Sequence, residues 1–147
     1  MTVRQAAAPA FLPLILESVH AGQEVTFTVT GNSMFPLLRD REDAVILASC
    51  GHVRRGDVVL YRRRDGHLIL HRVMKRDKQG FAAAGDAQTE WEYGLREEQI
   101  VAVAVGFIRC GRYISRADVG YRLYWRLWAA LRPLRPRLMS IYRHLQR

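Results

Sequence analysis

The sequence predicts a mostly β fold with about six short strands, a short N-terminal helix and a basic amphipathic C-terminal helix. Three observations support this: strict alternation over 24–30, an Asp65-Gly66 dipeptide between two apolar runs, and helical spacing of apolar residues after Asp118. The 147 residues fit a single domain better than two. We therefore expect one β-rich core followed by a helical segment.

The strands are predicted from alternation and from β-forming residues. In the first, Val25, Phe27 and Val29 face one side and threonines face the other, which is typical of a half-buried strand. The N-terminal helix is predicted over 11–20, with Pro13 in its first turn. The other predicted strands are 43–48, 57–64, 67–74, 81–84 and 99–108. These elements define a β domain over 1–110 with its core at 24–108.

The dipeptide Asp65-Gly66 predicts a two-residue hairpin turn, because such turns need positive φ at both positions. A two-residue loop would pair Arg64 with His67 and place Leu60 opposite His71. The spacing therefore predicts that His71 lies in the middle of a paired strand.

The C-terminal segment, 111–147, carries most of the positive charge. It contains nine arginines and one acidic residue, so it holds +8 of the formal net charge of +9. Asp118 can cap a helix from Val119 to about Arg132, which Pro133 and Pro136 are predicted to break. Beyond Pro136 the sequence predicts no more than one or two further helical turns.

The predicted C-terminal helix has a broad apolar face. Val119, Leu123, Leu127 and Leu131 recur at helical spacing, and tyrosines and tryptophans broaden the face. Three interpretations stay open: the segment 119–147 lies on an anionic membrane surface, packs on the sheet, or contacts an acidic peptide or nucleic acid. Nucleic acid is disfavoured because no nucleic-acid-binding motif is present.

Composition indicates a cytoplasmic protein, with the C-terminal segment as the candidate for peripheral contact at the inner face of a membrane. The apolar run 11–16 ends at Glu17 and is too short to span a bilayer. Cys50 and Cys110 are predicted to be reduced and buried, because their spacing fits neither a disulfide framework nor a zinc site. No metal or cofactor is predicted.

Four short motifs carry the chemistry. The segment Thr30-Gly31-Asn32-Ser33-Met34-Phe35-Pro36 resembles the Ser-Met-x-Pro box of type I signal peptidases. Gly56-Asp57-Val58-Val59 and Gly85-Asp86-Ala87-Gln88 resemble two further boxes of that family. Leu70-His71-Arg72-Val73 is similar to the His-Arg-Val box of its endoplasmic-reticulum, archaeal and sporulation-type branch. The resemblance extends to LexA-type peptidase domains and implies a β-rich peptidase fold.

The resemblance also implies the roles of individual residues. Ser33 would be the nucleophile, His71 its general base, and Asp86 would orient or charge-balance His71. The backbone around Ser33 would bind the oxyanion and the substrate, because Gly31 stands where some members carry a serine donor. This oxyanion- and substrate-binding segment comprises Asn32, Ser33, Met34 and Pro36.

The residues themselves favour histidine over lysine as the base. A serine hydroxyl is a weak nucleophile until a base takes its proton, and histidine does so near neutral pH. The only lysines, Lys75 and Lys78, fall at a predicted turn. A solvated ammonium group there would stay protonated.

Structural interpretations of the same residues remain open. Ser33 could cap a helix, although Pro36 stands where a capping box needs Glu or Gln. His71 could be a core histidine and Asp86 a turn residue. The sequence therefore predicts a serine endopeptidase acting on an extended peptide, such as the leader of a cytoplasmic precursor. The alternatives are an inactive module that binds a peptide or membrane partner, and a self-cleaving switch.

Overall fold

The structure of the protein, a computed structural model, describes residues 4–5 and 12–145. Within these residues nine strands form one sheet and three α-helices pack around it. In chain order the elements are β1 (Arg4–Gln5), α1 (Leu12–His20), β2 (Val25–Thr28), β3 (Ala44–Ala48), β4 (Val58–Arg62), β5 (Leu68–Asp77), β6 (Gly80–Ala84), β7 (Glu92–Leu95), β8 (Ile100–Arg109), β9 (Arg112–Ser115), α2 (Val119–Ala130) and α3 (Arg135–Leu145).

The strand order is β1-β2-β3-β8-β4-β5-β6-β7, and β9 pairs with β8. All pairings are antiparallel except that of β1 with β2. The ten-residue strand β8 is central because its first half pairs with β4 and its second half with β3 and β9. The prediction of a mostly β fold is confirmed, and all six predicted strands are present.

The β4–β5 hairpin differs from its prediction by one residue. Val59, not Leu60, lies opposite His71, and the Arg63 N–H donates to the His67 carbonyl at 2.8 Å. The loop has three residues rather than two, with Gly66 at a φ of +92°. Glycine takes this left-handed conformation without strain. The pairing is therefore shifted, but His71 stays in mid-strand.

The sheet separates two apolar clusters. One contains the buried residues of α1 and the segment 34–38, together with Phe27, Leu60 and Phe107. The other contains Val59, Tyr61, Val73 and Phe81. His71 lies opposite Val59, among the residues of the second cluster. Arg72, the next residue, points to the other face, as a regular strand requires.

The C-terminal segment forms two helices rather than one helix and a turn. Pro136 is the second residue of α3 and does not end a helix, because the N–H that proline lacks is not needed in a first turn. Tyr121 on α2 is buried, whereas the predicted apolar stripe at Val119, Leu123 and Leu127 is exposed. The aromatic side of α2, and not its leucine side, therefore packs on the domain.

Two further expectations can be compared with the described residues. Both cysteines are free, but Cys50 is half-buried and Cys110 exposed, so the prediction of two buried thiols is wrong. Cys110 is exposed because it lies at the turn between β8 and β9. No helix in the described part of the chain is both long and apolar enough to cross a membrane.

Candidate active site

Ser33 lies on a loop of residues 29–43 between β2 and β3, here called the serine loop. Its ends are joined by hydrogen bonds from the Val29 N–H to the Asp43 carbonyl at 3.0 Å and from the Arg41 N–H to the Val29 carbonyl at 2.9 Å. The fully buried carboxylate of Asp43 also binds the Arg39 guanidinium at 2.8 and 2.9 Å. These bonds fix the loop at both ends.

The main chain of Ser33 is held by the segment 85–88. The Ala87 N–H donates to the Ser33 carbonyl at 2.9 Å. A Cβ added to Gly85 would collide with the same carbonyl oxygen. Only glycine therefore allows this segment to approach Ser33 so closely. The serine motif, 30–36, and the Gly-Asp motif, 85–88, are therefore in direct contact in the fold.

The side chain of Ser33 is left free. Ser33 is half-buried, and neither its hydroxyl nor its backbone N–H has a hydrogen-bond partner among the residues that the structure describes. The neighbouring Gly31 N–H is different, because it donates to Asp40 Oδ1 at 2.7 Å. The Ser33 N–H is thus available to a ligand, whereas the Gly31 N–H is not.

Ser33 and His71 line the same cavity, which has a volume of about 290 Å³. Met34 also lines it, while Asn32 and Pro36 line two other depressions. The predicted oxyanion- and substrate-binding segment is therefore divided. The rest of the cavity wall is mixed: Thr30, Arg63 and Gln88 contribute polar groups, and the apolar side chains that border it are Ile15, Phe27, Val29, Leu60, Leu68, Ile69 and Leu70.

His71 is 4% exposed and is held by a tyrosine. Its Nδ1 lies 3.3 Å from the Tyr61 hydroxyl, which donates to Glu92 Oε1 at 3.1 Å. Arg63 in turn binds Glu92 at 2.8 Å. Tyr61 and Glu92 are not among the predicted site residues. Strand β7, which carries Glu92, gives no alternation signal, and the sequence does not indicate that Tyr61 contacts His71.

The surroundings of His71 keep its imidazole neutral. Burial, and next the charge of Arg63, lower the pKa of His71 from 6.5 to about 4. The negative charges of Glu92 and Asp86 act in the opposite direction but are weaker. At neutral pH the ring therefore has a lone pair free to accept a proton.

We expect this pKa to make stability depend on pH. The unfolded chain takes up a proton at His71 as the pH falls below 6.5, but the folded protein does so only near pH 4. The free energy of unfolding should therefore fall by up to about 3 kcal/mol between these values. Urea unfolding at a series of pH values measures it. His71→Gln should lack this component and His67→Gln, at an exposed position, should keep it; identical curves for both variants would contradict the assignment.

Asp86 has a different partner from the one predicted. Its carboxylate accepts two hydrogen bonds from Arg72, at 2.8 and 2.9 Å, and one from the Tyr124 hydroxyl at 2.9 Å. No hydrogen bond joins Asp86 to His71 among the described residues. Asp86 and His71 follow different faces of the sheet because Arg72 and His71 are consecutive strand residues. What remains of the predicted role is the weak electrostatic effect on the pKa of His71.

Helix α2 and the residues after it complete the environment of Asp86. The Trp128 Nε1–H donates to the Asp86 carbonyl at 2.6 Å, and the Tyr121 hydroxyl accepts from Arg72 at 2.8 Å. Arg135 donates to the Gln88 carbonyl at 2.8 Å. The segment that holds the Ser33 carbonyl is therefore itself held by the C-terminal helices.

Comparison with known proteins agrees with this architecture. The family model described as Peptidase S24-like matches residues 3–105, which include the serine loop, His71 and Asp86. A comparison with curated proteins finds no match. The predicted relationship to LexA-like and signal peptidase-like proteins is confirmed at the level of the family. The match covers well over half of the chain, and the protein belongs to the Peptidase S24-like family.

Proposed function

We propose that the protein is a serine endopeptidase in which Ser33 attacks the peptide carbonyl and His71 is the general base. The observation that carries this proposal is the cavity that both residues line, with an unbonded Ser33 hydroxyl and a neutral imidazole. Membership of a serine peptidase-type family supports the same chemistry.

The hydrogen bonds of Tyr61 favour the tautomer that a general base needs. A hydroxyl has one proton, and Tyr61 donates it to Glu92. Its oxygen then accepts from His71, so the ring proton sits on Nδ1 and the lone pair on Nε2. Burial, and next the charge of Glu92, raise the pKa of Tyr61, which keeps its proton in place. Nε2 is therefore the atom that would take the Ser33 proton.

The reaction then proceeds in two steps. Ser33 Oγ bonds to the carbonyl carbon while its proton moves to His71 Nε2, and the Ser33 N–H stabilises the oxyanion. His71 gives the proton to the leaving amine as the peptide bond breaks. Water then attacks the acyl carbon as His71 takes one of its protons, and His71 returns that proton to Ser33 Oγ as the acyl–oxygen bond breaks and the acid product leaves.

An extended peptide is the substrate that this geometry favours. An extended strand can lie along the sheet next to the serine loop, and the cavity would take a side chain beside the cut. By the family resemblance, that side chain is small. We propose the leader of a ribosomally made precursor as the physiological substrate.

Two observations favour the alternative, a peptide-binding module without activity. A base whose pKa is about 4 has little driving force for taking a serine proton at neutral pH. The Gly31 N–H, engaged by Asp40, also adds no second oxyanion donor. A module of this kind would hold a peptide in the same cavity without cutting it.

The two functions are separated by incubating the protein with a library of extended peptides and identifying products by mass spectrometry. We expect cleavage after small residues, and covalent labelling of Ser33 by a fluorophosphonate. Peptides retained intact, with no labelled Ser33, would contradict the peptidase and favour the binding module.

Tyr61→Phe is expected to lower kcat by about 10- to 100-fold with little change in KM, because the ring loses the acceptor that fixes its tautomer. Nitrogen-15 chemical shifts of His71 measure the tautomer directly. Tyr93→Phe, at an exposed neighbour of Trp91, is the matched control. Full activity in Tyr61→Phe would show that His71 needs no such partner.

A further inference from the structure

The two C-terminal helices expose a long series of aliphatic side chains. Leu127 is 62% exposed and Leu145 80%. Residues three and four apart lie on one side of a helix, so each helix presents an apolar side to solvent. We call this set the outer apolar face, and its members are Val119, Leu123, Leu127, Leu131, Leu134, Leu138, Ile141 and Leu145.

The outer apolar face is not the side of α2 that holds Arg72 and Asp86. The inward side of α2 is formed by Tyr121, Tyr124 and Trp128, which bind Arg72 and Asp86. Tyr142 on α3 stacks on Phe35 at 5.0 Å between ring centres. Exposed aliphatic residues in this number mark an interaction surface on a folded protein.

The charge around the outer apolar face identifies its partner. Residues 119–145 contain six arginines and no acidic residue, and Arg122, Arg126, Arg137 and Arg143 are exposed. A second copy would bring the same positive charges against each other, which disfavours self-association. An anionic lipid surface offers both an apolar layer for the aliphatic side chains and phosphates for the arginines.

We propose that the outer apolar face docks the protein on an anionic lipid bilayer. Helices α2 and α3 lie in the plane of the interface, with the aliphatic side chains at the acyl boundary and the exposed arginines on lipid phosphates. The tryptophans of α2 take no part, because they bind the domain. No member of the outer apolar face lines the Ser33 cavity, so docking does not use the residues of the proposed peptidase site.

The test is sedimentation of the full chain with phosphatidylcholine vesicles, with and without phosphatidylglycerol. Leu123→Glu with Leu127→Glu should weaken binding to the anionic vesicles about 100-fold, roughly tenfold for each leucine. Arg64→Gln with Lys78→Gln lowers the net charge by the same two units at exposed positions outside the helices, and should keep most of the binding. Both variants should cleave soluble peptides like the wild type.

Three outcomes would overturn the proposal. Equal losses in the two double variants would show binding by overall charge alone. Equal binding to vesicles without phosphatidylglycerol would remove the role of the arginines. A concentration-dependent dimer that the leucine changes abolish, with no vesicle binding, would make a second copy the partner. Point changes are preferred to truncation because deleting α2 would also remove the contacts with Asp86.

Discussion

Replacing Ser33 with alanine is expected to abolish peptide cleavage, with kcat/KM falling at least about 1,000-fold. Among the described residues that line the cavity with His71, Thr30 is the one other residue with a hydroxyl, and none has a thiol. The fold should be unaffected, since the Ser33 hydroxyl has no partner among the described residues. The free energy of unfolding should therefore change by less than about 0.5 kcal/mol. Steady-state cleavage of a peptide from the library and urea unfolding measure the two effects.

Ser49→Ala is the matched control, because Ser49 is exposed and lies outside the cavity. It should retain wild-type kinetics. Undiminished cleavage by Ser33→Ala, with the same products, would assign the nucleophile elsewhere and end the proposed mechanism. Loss of cleavage together with a loss of stability would show that Ser33 acts through the fold instead.

Asp86→Asn is expected to lower the free energy of unfolding by about 3–5 kcal/mol. Asp86 and Arg72 are each 2% exposed, and asparagine removes the charge while keeping the shape. The guanidinium of Arg72 would then be buried without a counter-ion. Urea unfolding measures the change, and cleavage should fall as well because the neighbouring Gly85 and Ala87 hold the Ser33 main chain.

An exposed aspartate provides the control for this change. Asp65→Asn, at the hairpin, should alter the free energy of unfolding by less than about 0.5 kcal/mol. Combining Asp86→Asn with Arg72→Met should cost less than the sum of the two single changes, because no unpaired charge then remains. A loss below about 1 kcal/mol in Asp86→Asn, or strict additivity, would contradict a tightly coupled buried pair.

The strands that could be predicted are those with a local signal. Alternation over 24–30 and the apolar runs before and after Asp65 identify strands without knowledge of their partners. The segments that form β7 and β9 are short and contain few alternating apolar residues, so pairing with β6 and β8 makes them strands. The hairpin register was wrong because Asp-Gly is compatible with two- and three-residue loops.

The candidate site could be predicted only in part for a similar reason. Ser33 and His71 lie in recognisable motifs, and the structure places them at one cavity. Glu92 is 31 residues from Tyr61, and only the fold brings their side chains together. The resemblance predicts that Asp86 orients His71. Side chains alternate along β5, however, and it is Arg72 rather than His71 that points toward Asp86.

Helix α2 shows why periodicity alone does not decide which side of a helix is buried. Both the leucine side and the aromatic side of α2 are apolar. The aromatic side packs inward because its hydroxyl and indole groups form hydrogen bonds with Arg72 and Asp86. A leucine side chain has no group that could form such bonds. The motif at 85–88 identifies Asp86, but it does not indicate that Tyr124, 38 residues further along the chain, donates a hydrogen bond to Asp86.

The contact between α2 and Asp86 has a genetic consequence. The residues that the family model matches end at 105, yet Tyr124 and Trp128 hold the segment that seats Ser33. Under the proposed mechanism, a screen for loss of peptide cleavage should therefore recover changes at Tyr124 and Trp128 as well as changes at Ser33.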